Sequence, residues 1–285
     1  MKPRTFGLVA ALVAMPTAAA AVPGRLDGAT TRPTARAAAP LSTAHVARPT
    51  ASTATPQRST ASSATAGRGG TATLISVKVT TAKDDPGTVS RDPLRQPGRR
   101  VRSAVCSNPG PGGPDYSLTG SRVSGPTTAH FNPAGAPIAG AASVFQAAFN
   151  AWKGVDANAP SITVASDGTV STPTADHSYE IMFAPLGSKT LGVTYTWHWS
   201  TGEYESDVVF SSNVPWFVAA SEGDGCYEGV ARYDLQDIVT HEFGHVYGLG
   251  HTTDTFNTMF PSATMGETFK RSPAAGDANG MHALY

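Results

Sequence analysis

Between Asp234 and Pro261 the chain reads DLQDIVTHEFGHVYGLGHTTDTFNTMFP. His241 and His245 are four residues apart, so on an α-helix their imidazoles lie about 40° apart around the axis and one turn along it. Two nitrogen ligands over one point in space suit a tetrahedral zinc ion. Glu242 stands beside the first ligand, where its carboxylate can reach a metal-bound water without being a ligand itself. Gly248 follows three residues after His245, and a residue free to take positive φ can end the helix and turn the chain there. The turn brings back His251 as a third ligand and leaves the fourth position for water. The chemistry expected is metal-assisted hydrolysis. A buried helix that happens to carry histidines is the plain structural alternative. A zinc site without catalysis is a closer one, and Glu242 argues against it.

The pattern H-E-x-x-H-x-x-G-x-x-H resembles that of the metzincin metalloproteases. Met259, eight residues beyond His251 in Thr258-Met259-Phe260-Pro261, resembles the Met-turn that floors the metzincin zinc site. By itself Met259 would read as an ordinary core methionine; Met265 lacks comparable flanking residues. The spacing, Thr252 after the third histidine and the Met-x-Pro run are similar to the matrixin branch. Astacins and serralysins place a tyrosine two residues after that methionine, where this chain has Pro261. The resemblance implies an α+β fold: a twisted mixed β-sheet, a first packing helix, the active-site helix, the Met-turn and a C-terminal helix. It further implies one catalytic zinc on His241, His245 and His251, with Glu242 as the base that handles the water proton. Protein or peptide substrates are expected, bound in extended form along a strand near Gly192–Thr196 by β-augmentation. Neither a nucleic acid nor a membrane is an expected partner, and the chain is expected to act as a monomer.

Many matrixins carry a second, structural zinc on three histidines and an aspartate, plus calcium loops. His177 and His198 lie in the relevant region, but Val209 stands where another histidine would be expected. His130, His177, His198 and His282 therefore read as isolated surface or half-buried histidines. A structural Ca(2+) on Asp and backbone carbonyls, or a second Zn(2+), stays open but unsupported, and no EF-hand-like spacing favours the calcium.

Other stretches must position these residues. Gly140 to Trp152 places Val144, Phe145, Ala148, Phe149 and Trp152 on one helical face, and Gly154 ends it. This F-x-x-A-F-x-x-W run also resembles the first helix of matrixin domains. Tyr116–Val123 and Thr127–Phe131 are expected as a first strand or hairpin. Ser161–Val164, Tyr179–Phe183, Leu191–Trp199 and Asp207–Ser211 have the β-branched and aromatic content of strands. The zinc helix is expected to start at Tyr233 or Asp234, with Asp237 in its first turn favourable to the helix dipole. Asp277 to Tyr285 resembles the last matrixin helix.

The remainder is unlike a folded domain. Residues 1–21 read as a secretory signal peptide, with Lys2 and Arg4, an apolar run from Phe6 to Met15 and small residues at Ala18–Ala21. Residues 22–103 form a low-complexity basic prosegment and linker, mostly disordered, in which Thr71–Thr80 is one short strand candidate. Residues 104–285 form the metalloprotease domain. Residues 1–103 hold 15 Lys/Arg against four Asp/Glu, a formal +11, while residues 104–285 hold six against 17, a formal −11. The arm is either a solvated tail or a prosegment drawn to the acidic domain, with a maturation cut at Arg99–Arg102. The two cysteines, Cys106 and Cys226, fit one disulfide in an oxidising compartment. Alternatively Cys106 masks the zinc as matrixin prosegment cysteines do, although the P-R-C-G-x-P-D pattern is missing around it. The function expected is a secreted zinc endopeptidase. Its rival is a zinc-holding extracellular binding module without turnover, in which Glu242 would have no purpose. A hydrolase acting on a glycan is weaker, because nothing resembles a sugar site.

Overall fold

The apolar face that begins after Gly140 folds as α1, Ala141–Val155, and buries Val144, Phe145, Ala148, Phe149 and Trp152 as the periodicity requires. In this computed structural model residues 65–66, 70–83 and 109–285 are described, all within the unit Gln57–Tyr285. The expected signal peptide, the maturation site at Arg99–Arg102 and Cys106 lie outside the described residues.

The sheet is built from β1 (Thr65–Ala66), β2 (Gly70–Ala82), β3 (Thr127–Phe131), β4 (Ile162–Ala165), β5 (Tyr179–Ala184), β6 (Thr190–Trp199) and β7 (Tyr204–Ser211). Their spatial order is β1-β2-β6-β7-β5-β3-β4. The β4, β3, β5 and β7 neighbours run parallel, whereas β7, β6, β2 and β1 alternate in direction, so the sheet is mixed. A short β8 (Trp216–Phe217) pairs in parallel with β9 (Tyr233–Asp234), which leads directly into α2, Leu235–Tyr247. After α2 come β10 (Ser262–Ala263), a 3-10 turn at Phe269–Arg271 and α3, Ala275–Leu284.

Aromatic side chains join the layers. Phe145 of α1 stacks on Phe210 of β7 at 5.5 Å between ring centroids and meets Phe131 of β3 edge-on at 4.9 Å. Phe149 of α1 stacks on Phe243 of α2 at 3.7 Å. The Trp152 indole N–H donates to the Thr240 carbonyl at 2.7 Å, so one α1 side chain satisfies a buried polar partner on α2. The helix α2 is buried from Asp237 through Tyr247, which explains why its sequence carries apolar residues around the whole circumference.

Three placements differ from the sequence expectation. Tyr116–Val123 is not a regular strand. Leu118 instead makes an isolated bridge to Leu249, and the Thr119 N–H donates to the Gly248 carbonyl at 2.9 Å, so this segment closes off the C-terminal end of α2. The short strand expected at Thr71–Thr80 runs through Gly70–Ala82 and pairs along most of β6. As a result β6 is not a free edge: β7 covers one side and β2 the other.

The region where the resemblance would put a structural zinc is held by buried carboxylates on main-chain donors. Glu205 accepts from the N–H groups of Asp176 (2.9 Å) and His177 (2.7 Å) and from the Trp199 indole (2.7 Å). Asp207 accepts from the N–H groups of Thr174 (2.8 Å) and Glu180 (3.0 Å). Burial pushes the Asp207 carboxyl up to about 8. His177 stacks on Trp199 at 3.5 Å, His198 stacks on Tyr204 at 4.7 Å, and Val209 is buried in β7. His130 and His282 are paired with Asp167 and Asp156, each at 2.8 Å.

Candidate metal centre and active site

Helix α2 carries His241, Glu242 and His245 into the interior, and its ending positions the rest. Gly248 caps it at φ 114°, a conformation that side chains rarely adopt, and its N–H reaches the carbonyls of Gly244 and His245. A Cβ on Gly248 would also lie 2.1 Å from the Ser121 carbonyl oxygen, so both backbone angle and space demand glycine. The chain then reverses, and His251 faces the helix. Its Nε2 is 3.3 Å from Nε2 of His241 and 3.1 Å from Nε2 of His245. Among the described residues, these three histidines form the one group of three potential ligands close enough to share an ion.

Each helical histidine is oriented through its other nitrogen. Nδ1 of His241 lies 2.6 Å from the Thr258 carbonyl, and Nδ1 of His245 lies 2.7 Å from the Leu249 carbonyl. A carbonyl only accepts, so both Nδ1 atoms carry the proton and both Nε2 lone pairs point into the cluster. Burial pushes the pKa of His241 and His245 well below the ordinary value, and that of His251 down to about 4. Three neutral imidazoles presenting convergent lone pairs are a donor set suited to zinc.

Glu242 is fully buried. Its Oε2 accepts from the Thr194 hydroxyl of β6 at 2.6 Å, while Oε1 completes no hydrogen bond. Oε1 lies against Gly192, where a Cβ would be only 2.5 Å away. Burial pushes the carboxyl up to about 7, against the opposing pull of Thr194 and Thr80. A buried carboxylate with one oriented oxygen and one free oxygen, poised near neutrality, is equipped to take and return a proton.

Met259 is buried beneath the helix, its sulfur so close to Gly244 that a Cβ there would be 2.2 Å away. The turn that carries it is fastened by Asp277, which sequence reasoning left without a role. The Asp277 carboxylate accepts from the N–H groups of Thr258 (2.7 Å), Met259 (3.1 Å) and Ala274 (2.8 Å). Since the Thr258 carbonyl also orients His241, Asp277→Ala should loosen that imidazole as well as the fold. The expected cost is about 3 kcal/mol, from buried N–H groups left without acceptors. Chemical denaturation with and without zinc should show a lower midpoint and a smaller zinc-induced gain than wild type.

Two further groups escaped the sequence reading. Lys270 is fully buried, donates to the Ser262 carbonyl at 2.6 Å and pairs with Glu267 at 3.2 Å, which fixes β10 beside the site. Arg271 forms a two-pronged pair with Asp234 at the start of α2. Runs such as Phe269-Lys270-Arg271 look like solvated basic residues in sequence, and only the Asp and Glu spacing upstream hints otherwise.

A model of the matrixin family, peptidase M10, matches residues 132–285. Metalloendoproteinase 2-MMP of Arabidopsis thaliana is 29% identical over 149 residues, covering 50% of this chain and 36% of that protein. Metalloendoproteinase 1 of Glycine max is 29% identical over 151 residues, covering 50% and 45%. Neutrophil collagenase of Homo sapiens is 38% identical over 55 residues, covering 19% and 12%. The chain thus spans less than half the length of each of these relatives. The family match takes in most of the sheet, the histidine-bearing helix, its methionine turn and the last helix, more than half of the residues present, and this chain belongs to the matrixin family.

Proposed function

We propose that the protein is a secreted zinc-dependent endopeptidase. The observation that carries the reading is the meeting of three convergent imidazole Nε2 atoms with a buried, half-satisfied Glu242 beside strand β6. His241, His245 and His251 would hold one zinc. Bound there, zinc would lower the pKa of its water toward about 7 and polarise a carbonyl oxygen. Glu242 takes a proton from the attacking water and hands it to the leaving amine. Thr194 holds Oε2 so that the proton exchanges at a fixed place. Met259 supports the histidines from below and takes no part in bond chemistry. Two of the relatives are named metalloendoproteinases and one a collagenase, and peptide-bond hydrolysis is what these names share. Zinc-loaded protein should hydrolyse casein and lose that activity with a zinc chelator; casein hydrolysis that ignores the chelator contradicts the reading.

Secretion is supported by the Lys2–Ala21 pattern of basic, apolar and small residues. Among the described residues, no helix is long and apolar enough to cross a membrane.

In the same reading Cys106 and Cys226 form a disulfide that ties the start of the domain to the loop ahead of α2. Cys226 is half-buried, bridges Glu267 through its backbone and is not a free thiol. The bond should stabilise the domain by about 2–5 kcal/mol. Peptide mapping without reductant should recover the linked pair. Free thiol at both positions, or activation on modifying Cys106, would favour zinc masking instead.

A further inference from the structure

Strand β10 is short, yet the carbonyls in and before it point in two alternating directions. The Phe260 and Ser262 carbonyls accept from Lys270 Nζ, at 3.3 and 2.6 Å. The Pro261 and Ala263 carbonyls face the other way. They accept the N–H groups of Thr81 (3.0 Å) and Lys83 (2.9 Å), while the Ala82 N–H between them turns to the Lys189 carbonyl at 2.8 Å. Residues 81–83 are thus held from both edges. Successive carbonyls of an extended strand project to opposite edges, so fixing one alternate pair fixes the other.

Lys270 is built into the interior to do this. Its side chain is fully buried, and an ammonium has three donors to place. Two go to the Phe260 and Ser262 carbonyls, and the third faces Glu267 Oε1 at 3.2 Å. The other Glu267 oxygen accepts the Thr264 N–H at 3.1 Å, which fastens the chain just beyond β10. The rings of Phe260 and Phe269, each 5.8 Å from Nζ, close the space around it. The Lys270 main chain is anchored too, since its N–H donates to Asp237 Oδ1 at 2.8 Å. Asp237 stands one turn before His241 on α2. One line of contacts therefore runs from α2 through Asp237 and Lys270 to the Pro261 and Ala263 carbonyls.

We infer that Lys270 is a positioning residue for peptide substrates: its ammonium draws the Phe260 and Ser262 carbonyls inward and so presents the Pro261 and Ala263 carbonyls as a preset pair of acceptors for alternate N–H groups of an extended peptide. This rests on the peptidase reading given above. Pairing with β6 would hold one edge of such a peptide, and these two carbonyls hold the other. Acceptors fixed before binding need no ordering when the peptide arrives, so more of the pairing appears as affinity. The pair reads main chain and ignores side-chain identity. It therefore selects against a peptide with proline at either donor position, because proline has no N–H.

The test uses the full chain as wild type, as Glu267→Gln and as Lys270→Met combined with Glu267→Gln, since methionine alone would leave Glu267 buried without its cation. In metal-free protein, amide exchange at Thr81 and Lys83 should speed up about 3- to 10-fold in the double variant, the loss expected for one hydrogen bond, while Ala82 keeps its wild-type rate. Glu267→Gln should keep all three rates. With zinc added, a casein fragment that wild type cleaves is assayed with its backbone nitrogens methylated one at a time. In wild type, methylation at two alternate positions that do not pair with β6 should each raise KM about 3- to 10-fold. In the double variant those two penalties should vanish, and the penalties at positions paired with β6 should stay. A wild-type scan without such an alternate pair overturns the inference, whether or not the double variant folds. So does a uniform fall in activity, or a paired penalty that survives in the double variant, and either leaves the peptidase standing. Exchange that changes equally at all three amides, or at none, overturns the hold of Lys270 on the carbonyls. Hydrolysis of no fragment by zinc-loaded wild type overturns the peptidase reading and the substrate role with it, while exchange at Thr81 and Lys83 still decides that hold.

Discussion

Glu242→Ala should leave zinc and fold in place while peptide hydrolysis falls at least about 100-fold, the loss typical of removing a general acid–base group. The ligand nitrogens belong to other residues, and their orientation comes from the Thr258 and Leu249 carbonyls, which this change does not touch. The fold should tolerate it as well. Burial raises the Glu242 carboxyl to about 7, so desolvation works against its charged form and little native stability depends on it. The Thr194 hydroxyl loses its 2.6 Å acceptor but keeps the Glu242 carbonyl at 3.2 Å. Zinc content by elemental analysis, thermal melting and a peptide assay on one preparation separate these effects. Near-normal hydrolysis by the variant would exclude Glu242 as the proton carrier.

His245→Ala is expected to do what Glu242→Ala does not, which is to remove the metal. Its Nε2 lies 3.1 Å from that of His251, and its Nδ1 bond to the Leu249 carbonyl ties the helix end to the turn that delivers His251. Two imidazoles would remain, one of them half-exposed and now without its neighbour. Zinc binding should fall below one ion per chain at micromolar zinc, and activity should fall at least as far as in Glu242→Ala. Melting supplies a second reading. Wild type should gain stability from zinc by mass action, and the variant should gain little. A variant that still melts higher with zinc would place the ion elsewhere.

The site was legible in sequence wherever its geometry is local. A helix fixes His241, Glu242 and His245 relative to one another through four residues, and Gly248 marks the turn that returns His251. The face of α1 was legible for the same reason, since Val144 through Trp152 repeat at helical spacing. What escaped depends on distant partners. Val77 and Val79 alternate with polar residues as a strand should, yet nothing local says that the strand joins β6, more than 100 residues onward. Thr194 reads as one more strand threonine until Glu242 is placed beneath it. Asp277 looks like a first-turn acid of the last helix, and its role at Thr258 and Met259 emerges only when the helix docks. Tyr116–Val123 shows the opposite error. Its residues favour a strand, but its hydrogen bonds go to Gly248 and Gly250 instead of a ladder.

Zinc titration into metal-free full-length protein, with metal content and peptide hydrolysis read at each step, tests the central claim most directly. One high-affinity zinc per chain is predicted, with hydrolysis rising in proportion to its occupancy in wild type. Glu242→Ala should bind the same single zinc and remain inactive, and His245→Ala should do neither. Hydrolysis that is complete before zinc is added, or that survives in Glu242→Ala at full occupancy, would contradict the account.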